Sequence, residues 1–165
     1  MTATAAALVA AGSVAAFLAP ASASAAEARG RGADCVSYDD VTELVVAGGG
    51  TEDGVDVGDV AWYQSLLFDA SGEQIGTVDA DVRVVWQDPS NQHFYYWISE
   101  TIELPDGTIR TAGVFDHDAV TYDGLTPYAT AWGVSGDYAG KVGGRQFEIV
   151  QGPVNWATHI YLCGL

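Results

Sequence analysis

The sequence predicts an all-β protein, an eight-stranded antiparallel up-and-down β-barrel, on three observations. Glycines and prolines are spread along the whole chain, and runs of helix-forming residues are scarce beyond the N-terminus. Apolar and polar residues alternate in about eight segments. Short turn sequences separate several of these segments, and such connections join antiparallel neighbours. Eight twisted strands close most economically into a barrel that is filled by side chains or holds one small ligand.

The composition narrows the class of partner. The chain has 165 residues, which suits one domain, and 48% of them are hydrophobic, which indicates a packed interior. It carries 22 acidic against 6 basic residues, for a formal net charge of -16. Nucleic acids and anionic membranes require the opposite charge balance. We therefore expect neither nucleic acid nor membrane as partner. The predicted barrel, with aromatic residues in its strands, suits a small apolar ligand instead.

The N-terminal region is typical of an export signal. Residues 1–26 contain no charge, and their apolar stretch, 5–18, is too short for a membrane span. Ala23-Ser24-Ala25 provides a small-residue cleavage pattern, although a basic segment before the apolar stretch is missing. We expect a secreted protein with a signal segment at 1–26 and a polar linker at 27–33. A single barrel domain follows at 34–165.

The strands can be assigned in chain order from their alternation and from the turns between them. The clearest is 74–87, where Val78, Ala80, Val82, Val84 and Trp86 share one face and the polar residues Thr77, Asp79, Asp81 and Arg83 share the other. The turns are DASGE (69–73), DPSNQ (88–92) and PDG (105–107). The other predicted strands are 35–46, 59–69, 93–104, 108–116, 128–133, 145–151 and 154–163.

No motif predicts a metal, a cofactor or an activated nucleophile. The three histidines lack the spacing of a zinc pair, and no phosphate-binding loop is present. The glycine-rich loop 47–59 carries acids, but their spacing matches no calcium-binding loop. We expect this loop to cover the mouth of the barrel and the site to use neither metal nor cofactor.

The two cysteines stand near the ends of the strand set. An even number of cysteines in an exported chain predicts a disulfide between Cys35 and Cys163, which requires the first and last strands to be neighbours. The alternative is two unrelated buried thiols.

One carboxyl group interrupts an apolar face of the fourth strand. Phe94, Tyr96, Ile98 and Ile102 share that face with Glu100. Buried there, Glu100 would find a hydrogen-bond partner or take up a proton, which makes it a candidate acid or orienting group. The alternative is a glutamate at the exposed rim. Aromatic residues are abundant in the strands, and part of them is expected to line the lumen.

Several sequence runs resemble one family. GVSGDYAGKVGG (133–144) and the closing YLCGL (161–165) resemble the allene oxide cyclase and dirigent barrel superfamily. LFDASGEQIGT (67–77) and YYWISETIELPDG (95–107) are most similar to bacterial spirotetronate cyclases, which catalyse intramolecular [4+2] cycloaddition in polyketide assembly.

The resemblance implies a set of pocket residues. Phe147 matches a large aromatic residue of the pocket, and Asp40 is nearest to an acid on the first strand. Two expected tyrosines fall at Ile98 and Ala129, where neighbouring aromatic residues are available to fill the volume. The predicted catalytic residues are Tyr96, Glu100, Phe147 and Asp40, and the predicted substrate-binding residues are Ile98, Tyr128, Trp132, Phe94 and Tyr63.

The resemblance also implies a function. It predicts a cofactor-independent cyclase that folds a linear polyene or tetronate-type intermediate for [4+2] cycloaddition, and self-association as a dimer or trimer. One alternative is an exported dirigent-like or lipocalin-like barrel that binds a small ligand without catalysis. The other is an epoxide-type cyclase that uses Asp40 or Glu100 as its acid.

Overall fold

The computed structural model describes residues 34–51 and 55–164, and in them it confirms the predicted barrel. The predicted signal segment, 1–26, and the linker, 27–33, lie outside the described residues. Among the residues described, no helix has the length and apolarity needed to cross a membrane.

The barrel is a closed ring of eight antiparallel strands. Each strand pairs with the next one along the chain, and the last pairs back with the first. The strands are β1 (Cys35–Gly50), β2 (Val60–Phe68), β3 (Gln74–Gln87), β4 (Phe94–Leu104), β5 (Gly107–Asp116), β6 (Tyr128–Gly133), β7 (Val142–Gln151) and β8 (Asn155–Cys163).

Strand β1 continues four residues beyond its predicted end because glycines allow it to pair closely with β2. Gly48, Gly49 and Gly50 oppose the start of β2. A Cβ at Gly50 would lie 2.9 Å from the Cβ of Ala61, so a larger residue would push the two strands apart. Part of the predicted loop is therefore strand.

A register shift in β3 moves one aromatic side chain out of its predicted face. Pairing with β4 changes between Val84 and Trp86. Val84 is buried, whereas Trp86 is 47% exposed and its ring lies 4.8 Å from that of Tyr95. The prediction that Trp86 shares the apolar face of β3 is wrong, since the irregularity adds one residue to the alternation.

One end of the barrel, here called the closed end, is filled by apolar side chains. Tyr138, on a single 3-10 turn (Gly136–Tyr138), is buried against this core and hydrogen-bonds Tyr38 through the two hydroxyls. Gly133 makes room for the turn, because a Cβ there would lie 1.7 Å from the carbonyl oxygen of Tyr138. The buried core of this end comprises Val41, Leu67, Val78, Ile102, Leu104, Ile109, Ala131, Tyr138, Ile160 and Leu162.

The predicted disulfide is present at the closed end. Cys35 and Cys163 are bonded and lie opposite each other in the β1–β8 pair. The backbone N–H of Gly164 donates to the carbonyl oxygen of Asp34 at 3.0 Å, which continues this pairing by one hydrogen bond. The first and last strands are therefore joined both covalently and through the sheet.

The opposite end, here called the open end, is crossed by a short helix between β5 and β6. Helix α1 (His117–Tyr122) packs against β4, β5 and β7. Asp116 caps it by accepting a hydrogen bond from the Ala119 N–H at 3.0 Å, and Val120 is buried beneath it. The helix partly covers the lumen from this side.

Candidate active site

A layer of polar side chains crosses the middle of the lumen. Glu43 on β1, Glu100 on β4 and Arg145 on β7 point inward and are at most 1% exposed. Arg145 forms an ion pair with each carboxylate, using Nη2 for Glu43 and Nη1 for Glu100. We call the group formed by these three residues with Tyr63, Ser65, Thr111 and Thr158 the polar layer.

Hydroxyl groups complete the two ion pairs. Tyr63 donates to Glu100 Oε1 at 2.5 Å, and Thr111 donates to Glu100 Oε2. Thr158 donates to Glu43 Oε2 at 3.0 Å. Glu100 therefore has both oxygens hydrogen-bonded, whereas Glu43 Oε1 has no partner among the residues that the structure describes.

The pKa values of the two carboxyl groups are shifted in opposite directions, in keeping with this difference in hydrogen bonding. Burial raises the pKa of Glu43, and Arg145 offsets only part of that effect while Glu100 adds to it. Burial also opposes ionisation of Glu100, but the charge of Arg145 and the donated hydrogen bonds hold its pKa below the usual value. Both carboxyl groups pair with Arg145, and Glu43, with the raised pKa, is the one that takes up a proton first as pH falls.

Tyr63 acts as a hydrogen-bond donor and keeps its proton. Burial raises its pKa well above the usual range, and the neighbouring carboxylate of Glu100 adds to the shift. Its hydroxyl thus stays protonated and orients Glu100 from the β2 side.

Aromatic rings lie next to the polar layer on the side of the open end. Arg145 Cζ lies 5.2 Å from the ring centroid of Phe147, which stacks with Trp156 at 5.3 Å. Phe147 also meets Phe115 edge to face at 5.6 Å, and Phe115 lies 6.3 Å from Tyr96. We call Trp156, Phe147, Phe115 and Tyr96 the aromatic layer.

The aromatic layer ends at the mouth of the barrel. His117 of α1 stacks on Tyr96 with ring centroids 4.2 Å apart. Burial lowers the pKa of His117 although Asp118 and Asp116 oppose this, which favours the neutral imidazole. At the same end, His93 Nδ1 lies 2.9 Å from Asp116 Oδ2, and this hydrogen bond raises the pKa of His93.

A cavity of about 110 Å³ opens at the mouth between the strands and the loop that joins β1 to β2. Tyr96 and Val84 form its inner wall, and Thr51, Val55 and Asp59 of the loop form its outer wall. The described loop residues therefore border this cavity. Across the described ranges, no group of three or more His, Cys, Asp or Glu side chains is arranged to hold a metal ion.

Most of the sequence-predicted site residues lie on the lumen side. Glu100, Ile98 and Phe147 are buried there, and Tyr63 and Tyr96 are partly buried. Phe94 is half-buried at the start of β4, on the same face as Tyr96. Tyr63, Glu100 and Phe147 belong to the connected polar and aromatic layers, whereas Ile98 and Phe94 add apolar wall.

Two predicted substrate-binding residues face outward. Tyr128 and Trp132 are 50% and 37% exposed, whereas Ala129 and Ala131 between and beside them are buried. Tyr128 donates to the carbonyl oxygen of Gly143 and lies 3.2 Å from the Tyr161 hydroxyl, on the outer surface. The prediction that Tyr128 and Trp132 line the lumen is wrong, since strict alternation on β6 places the alanines inside.

The predicted first-strand acid is also misplaced. Asp40 is exposed at a register shift between Tyr38 and Val41, with a backbone φ of 56°. The bulge adds residues to the alternation, so Asp40 does not reach the lumen. Glu43, three residues later, is the acid that β1 places inside.

Sequence reasoning missed Glu43, Arg145 and Trp156. Each of the two charged residues is the odd member of an inward-facing series: Val41, Glu43 and Val45 on β1, and Arg145, Phe147 and Ile149 on β7. This is the signal by which Glu100 is found on β4. Trp156 begins the regular inward-facing series of β8, which continues with Thr158, Ile160 and Leu162, so alternation could also have placed it in the lumen.

A match to the model of a known family identifies the family of this chain. Residues 40–160 match the model of the allene oxide cyclase barrel like domain. The chain belongs to this family. The match extends from the bulge of β1 to the middle of β8, so it includes all of the polar layer and all of the aromatic layer.

Solved structures of the same fold include [4+2] cyclases. AbnU, an exo-specific intermolecular Diels-Alderase, shares the fold at 22% identity, with a TM-score of 0.74 over 81% of this chain and 99% of that one. A nonspecific heme-binding cyclase that catalyses [4+2] cycloaddition during neoabyssomicin biosynthesis is 26% identical, with a TM-score of 0.75 over 82% and 69%. The Diels Alderase AbmU from Streptomyces koyangensis is 25% identical, with a TM-score of 0.72 over 81% and 69%. This member of the allene oxide cyclase barrel like family is thus homologous to [4+2] cyclases at low identity.

Proposed function

We propose that this chain is a cyclase that folds a linear polyene in the open half of its barrel for [4+2] cycloaddition. The observation that carries the proposal is the lumen itself, in which the rings of Phe147 and Trp156 lie against a buried layer of hydrogen-bond donors. The homology to [4+2] cyclases supports the same reaction class.

Such a reaction suits a site without a nucleophile. A cycloaddition forms its new bonds from the π electrons of one substrate, and no group leaves. Holding diene and dienophile at reacting distance can remove about 7–11 kcal/mol of the barrier. Rigid aromatic walls such as Phe147, Phe115 and Trp156 impose that folded shape and exclude water.

The polar layer supplies the electronic part of the mechanism. A carbonyl group conjugated with the dienophile gains electron density as the new bonds form. A protonated Glu43 stabilises that oxygen by donating a hydrogen bond, while the Glu100–Arg145 pair holds the layer in place. Glu43 changes no bond of the substrate in this scheme and acts only as a donor.

Substrate binding requires the open end to rearrange. The mouth cavity of about 110 Å³ is smaller than the roughly 300–1,000 Å³ typical of ligand pockets. We propose that Tyr96 and His117, which stack across the mouth, separate as the polyene enters. Substrate should therefore change the near-ultraviolet circular dichroism of the aromatic residues.

The test is an assay with a linear triene that carries an activated alkene at its far end. We expect the purified protein to convert it to a cyclic isomer of the same mass with one product stereochemistry, and the rate to be unchanged by a metal chelator. The matched variants are Phe147→Ala, in the lumen, and Trp132→Ala, on the outer face. Equal rates for both variants, or loss of turnover with chelator, would contradict the proposal. Binding without any cyclic product would favour a non-catalytic barrel.

A second reaction is favoured by one feature, the raised pKa of Glu43 together with its unpaired Oε1. A buried carboxylic acid of this kind can protonate an epoxide oxygen and start its opening. An assay with a linear allylic epoxide distinguishes the two reactions, because Glu43→Gln abolishes acid-assisted opening but retains a hydrogen-bond donor for cycloaddition.

We also propose that the protein is exported. The disulfide between Cys35 and Cys163 supports this, since such bonds persist in oxidising compartments. Expression of the full chain followed by N-terminal sequencing of secreted material tests it, with a start near Ala26 as the expected result and an intact, cell-associated chain as the contrary one.

A further inference from the structure

Four buried polar atoms of the lumen lack a hydrogen-bond partner within the described part of the chain. They are Glu43 Oε1, Ser65 Oγ, Arg145 Nε and Trp156 Nε1. Ser65 and Glu43 lie within reach of each other, so rotation of the hydroxyl group can pair their two atoms. Buried polar atoms are nearly always paired in folded proteins, so the unpaired indole N–H of Trp156 calls for a partner from outside the chain. All four side chains face inward, and they lie on four adjacent strands of the ring, in the order β7, β8, β1 and β2.

Trp156 is the member of this group nearest to the open end. It lies opposite Glu43 in the β1–β8 pair, and it contacts Tyr63 edge to face at 5.3 Å as well as stacking on Phe147. Its side chain is only partly buried, but its Nε1 is shielded from solvent. An indole N–H is a donor only, so the partner it lacks must be an acceptor.

The charge of the polar layer indicates what kind of acceptor fits. The single guanidinium of Arg145 is already paired with two carboxyl groups, those of Glu43 and Glu100. The layer then has no net positive charge to offer an anion, whose transfer from water into the barrel would be costly. A neutral oxygen accepts the unpaired hydrogen bond without that cost.

We propose that Trp156 is a specificity-determining residue whose indole N–H binds the carbonyl oxygen of a neutral polyene ketone or ester and discriminates against the corresponding carboxylate. This inference rests on the proposed function and names its substrate class. Phe147, stacked on the same indole, then lies against the conjugated chain next to that carbonyl.

Binding can be tested without turnover by calorimetry with three ligands of equal chain length: a linear trienone, the trienoic acid as its carboxylate, and the triene hydrocarbon. We expect the wild-type protein to bind the trienone at least tenfold more tightly than the carboxylate. Trp156→Phe keeps an aromatic ring but removes the donor, so it should weaken the trienone about tenfold and leave the hydrocarbon unchanged.

Trp132→Phe is the matched control, since it makes the same change on the outer surface and should alter none of the three affinities. Equal affinity of the wild-type protein for ketone and carboxylate would overturn the inference, as would an unchanged ketone affinity in Trp156→Phe. The ligand series on the wild-type protein decides the matter even if that variant does not fold. A ketone preference without cyclic product would refute the cyclase and leave the donor role of Trp156 standing.

Discussion

The closed and open ends of this barrel are built from the same eight strands but are filled differently. At the closed end, Ile102, Ile109 and Val78 are completely buried and Tyr138 seals the bottom. At the open end, aromatic rings rest on a buried arginine and two carboxyl groups, and unpaired polar atoms remain. The apolar core of the closed end supplies stability, and this stability allows the open end to contain polar groups whose burial is costly.

Among changes at the closed end, removal of the disulfide should cause the largest loss of stability. Replacing both Cys35 and Cys163 by serine should lower the free energy of unfolding by up to about 4–5 kcal/mol, because the bond closes nearly the whole barrel into one loop. Chemical denaturation of oxidised wild type and the double variant measures the loss. Labelling of both thiols under non-reducing conditions in folded, exported protein would show instead that the bond is not formed.

Among substitutions at the open end, replacement of Arg145 should cause the largest loss of stability. Arg145→Met should destabilise the protein by about 3–5 kcal/mol, since it leaves two buried carboxyl groups without the cationic partner that they share. Adding Glu43→Leu and Glu100→Leu to the same chain should restore most of that loss, because an apolar replacement of the whole cluster needs no compensation. If the single variant is as stable as the wild type, the ion pairs do not form in solution.

Large-to-small changes at the two ends separate stability from rate. Ile102→Ala and Phe147→Ala should each cost about 2–5 kcal/mol of stability. Only Phe147→Ala should also lower the cyclisation rate, by about a hundredfold, since the folded substrate loses its wall. Turnover is measured below the unfolding temperature of both variants, and a comparable loss of rate in Ile102→Ala would remove the distinction between the ends.

The pH dependence of stability should identify Glu43 as the proton-holding group. Its folded pKa is raised, so its contribution is full below the unfolded pKa and is lost as pH rises through the folded value. Glu100, with a lowered pKa, contributes in the opposite direction and loses its contribution as pH falls. Glu43→Gln should therefore gain stability relative to the wild type with rising pH. Denaturation across pH tests this, and a difference that shrinks with pH would contradict it.

The smallest effect is expected on the outer face. Trp132→Ala should change stability by about 0.5 kcal/mol or less and leave the cyclisation rate unaltered, because the side chain is exposed. Denaturation and the triene assay are sufficient measurements. A large loss of rate would show that the outer surface of β6 takes part in the reaction.

The fold could be predicted because it depends on local patterns. The alternation in 74–87 and 93–104 can be recognised from consecutive residues, and so can the turns between strands. The two cysteines at the ends of the strand set predict that β1 and β8 pair and close the barrel. Glu100 is recognisable in the same way, as one carboxyl in an apolar series.

The rest of the site depends on irregularities and on distant pairing. The bulge beside Asp40 shifts the inward position to Glu43, and the pair Asp39-Asp40 is a weak signal for it, since Asp tolerates positive φ but also occurs in regular strands. Glu43 and Arg145 are separated by 102 positions and meet only because the barrel closes. For Tyr128 and Trp132, a need for volume suggested the lumen, but the alternation of β6 sets the side on which each residue lies.

The hydrogen bond between Gly164 and Asp34 has a consequence for protein engineering. Since the first and last strands are neighbours, a short linker can join these residues and new chain ends can be opened elsewhere. The turn between β2 and β3, where Ser71 and Gly72 are exposed, offers such a position at the end remote from the aromatic layer. A circularly permuted barrel of this design would still carry its termini at the closed end, far from the mouth, which keeps the open end available for loop libraries or for attachment to a surface.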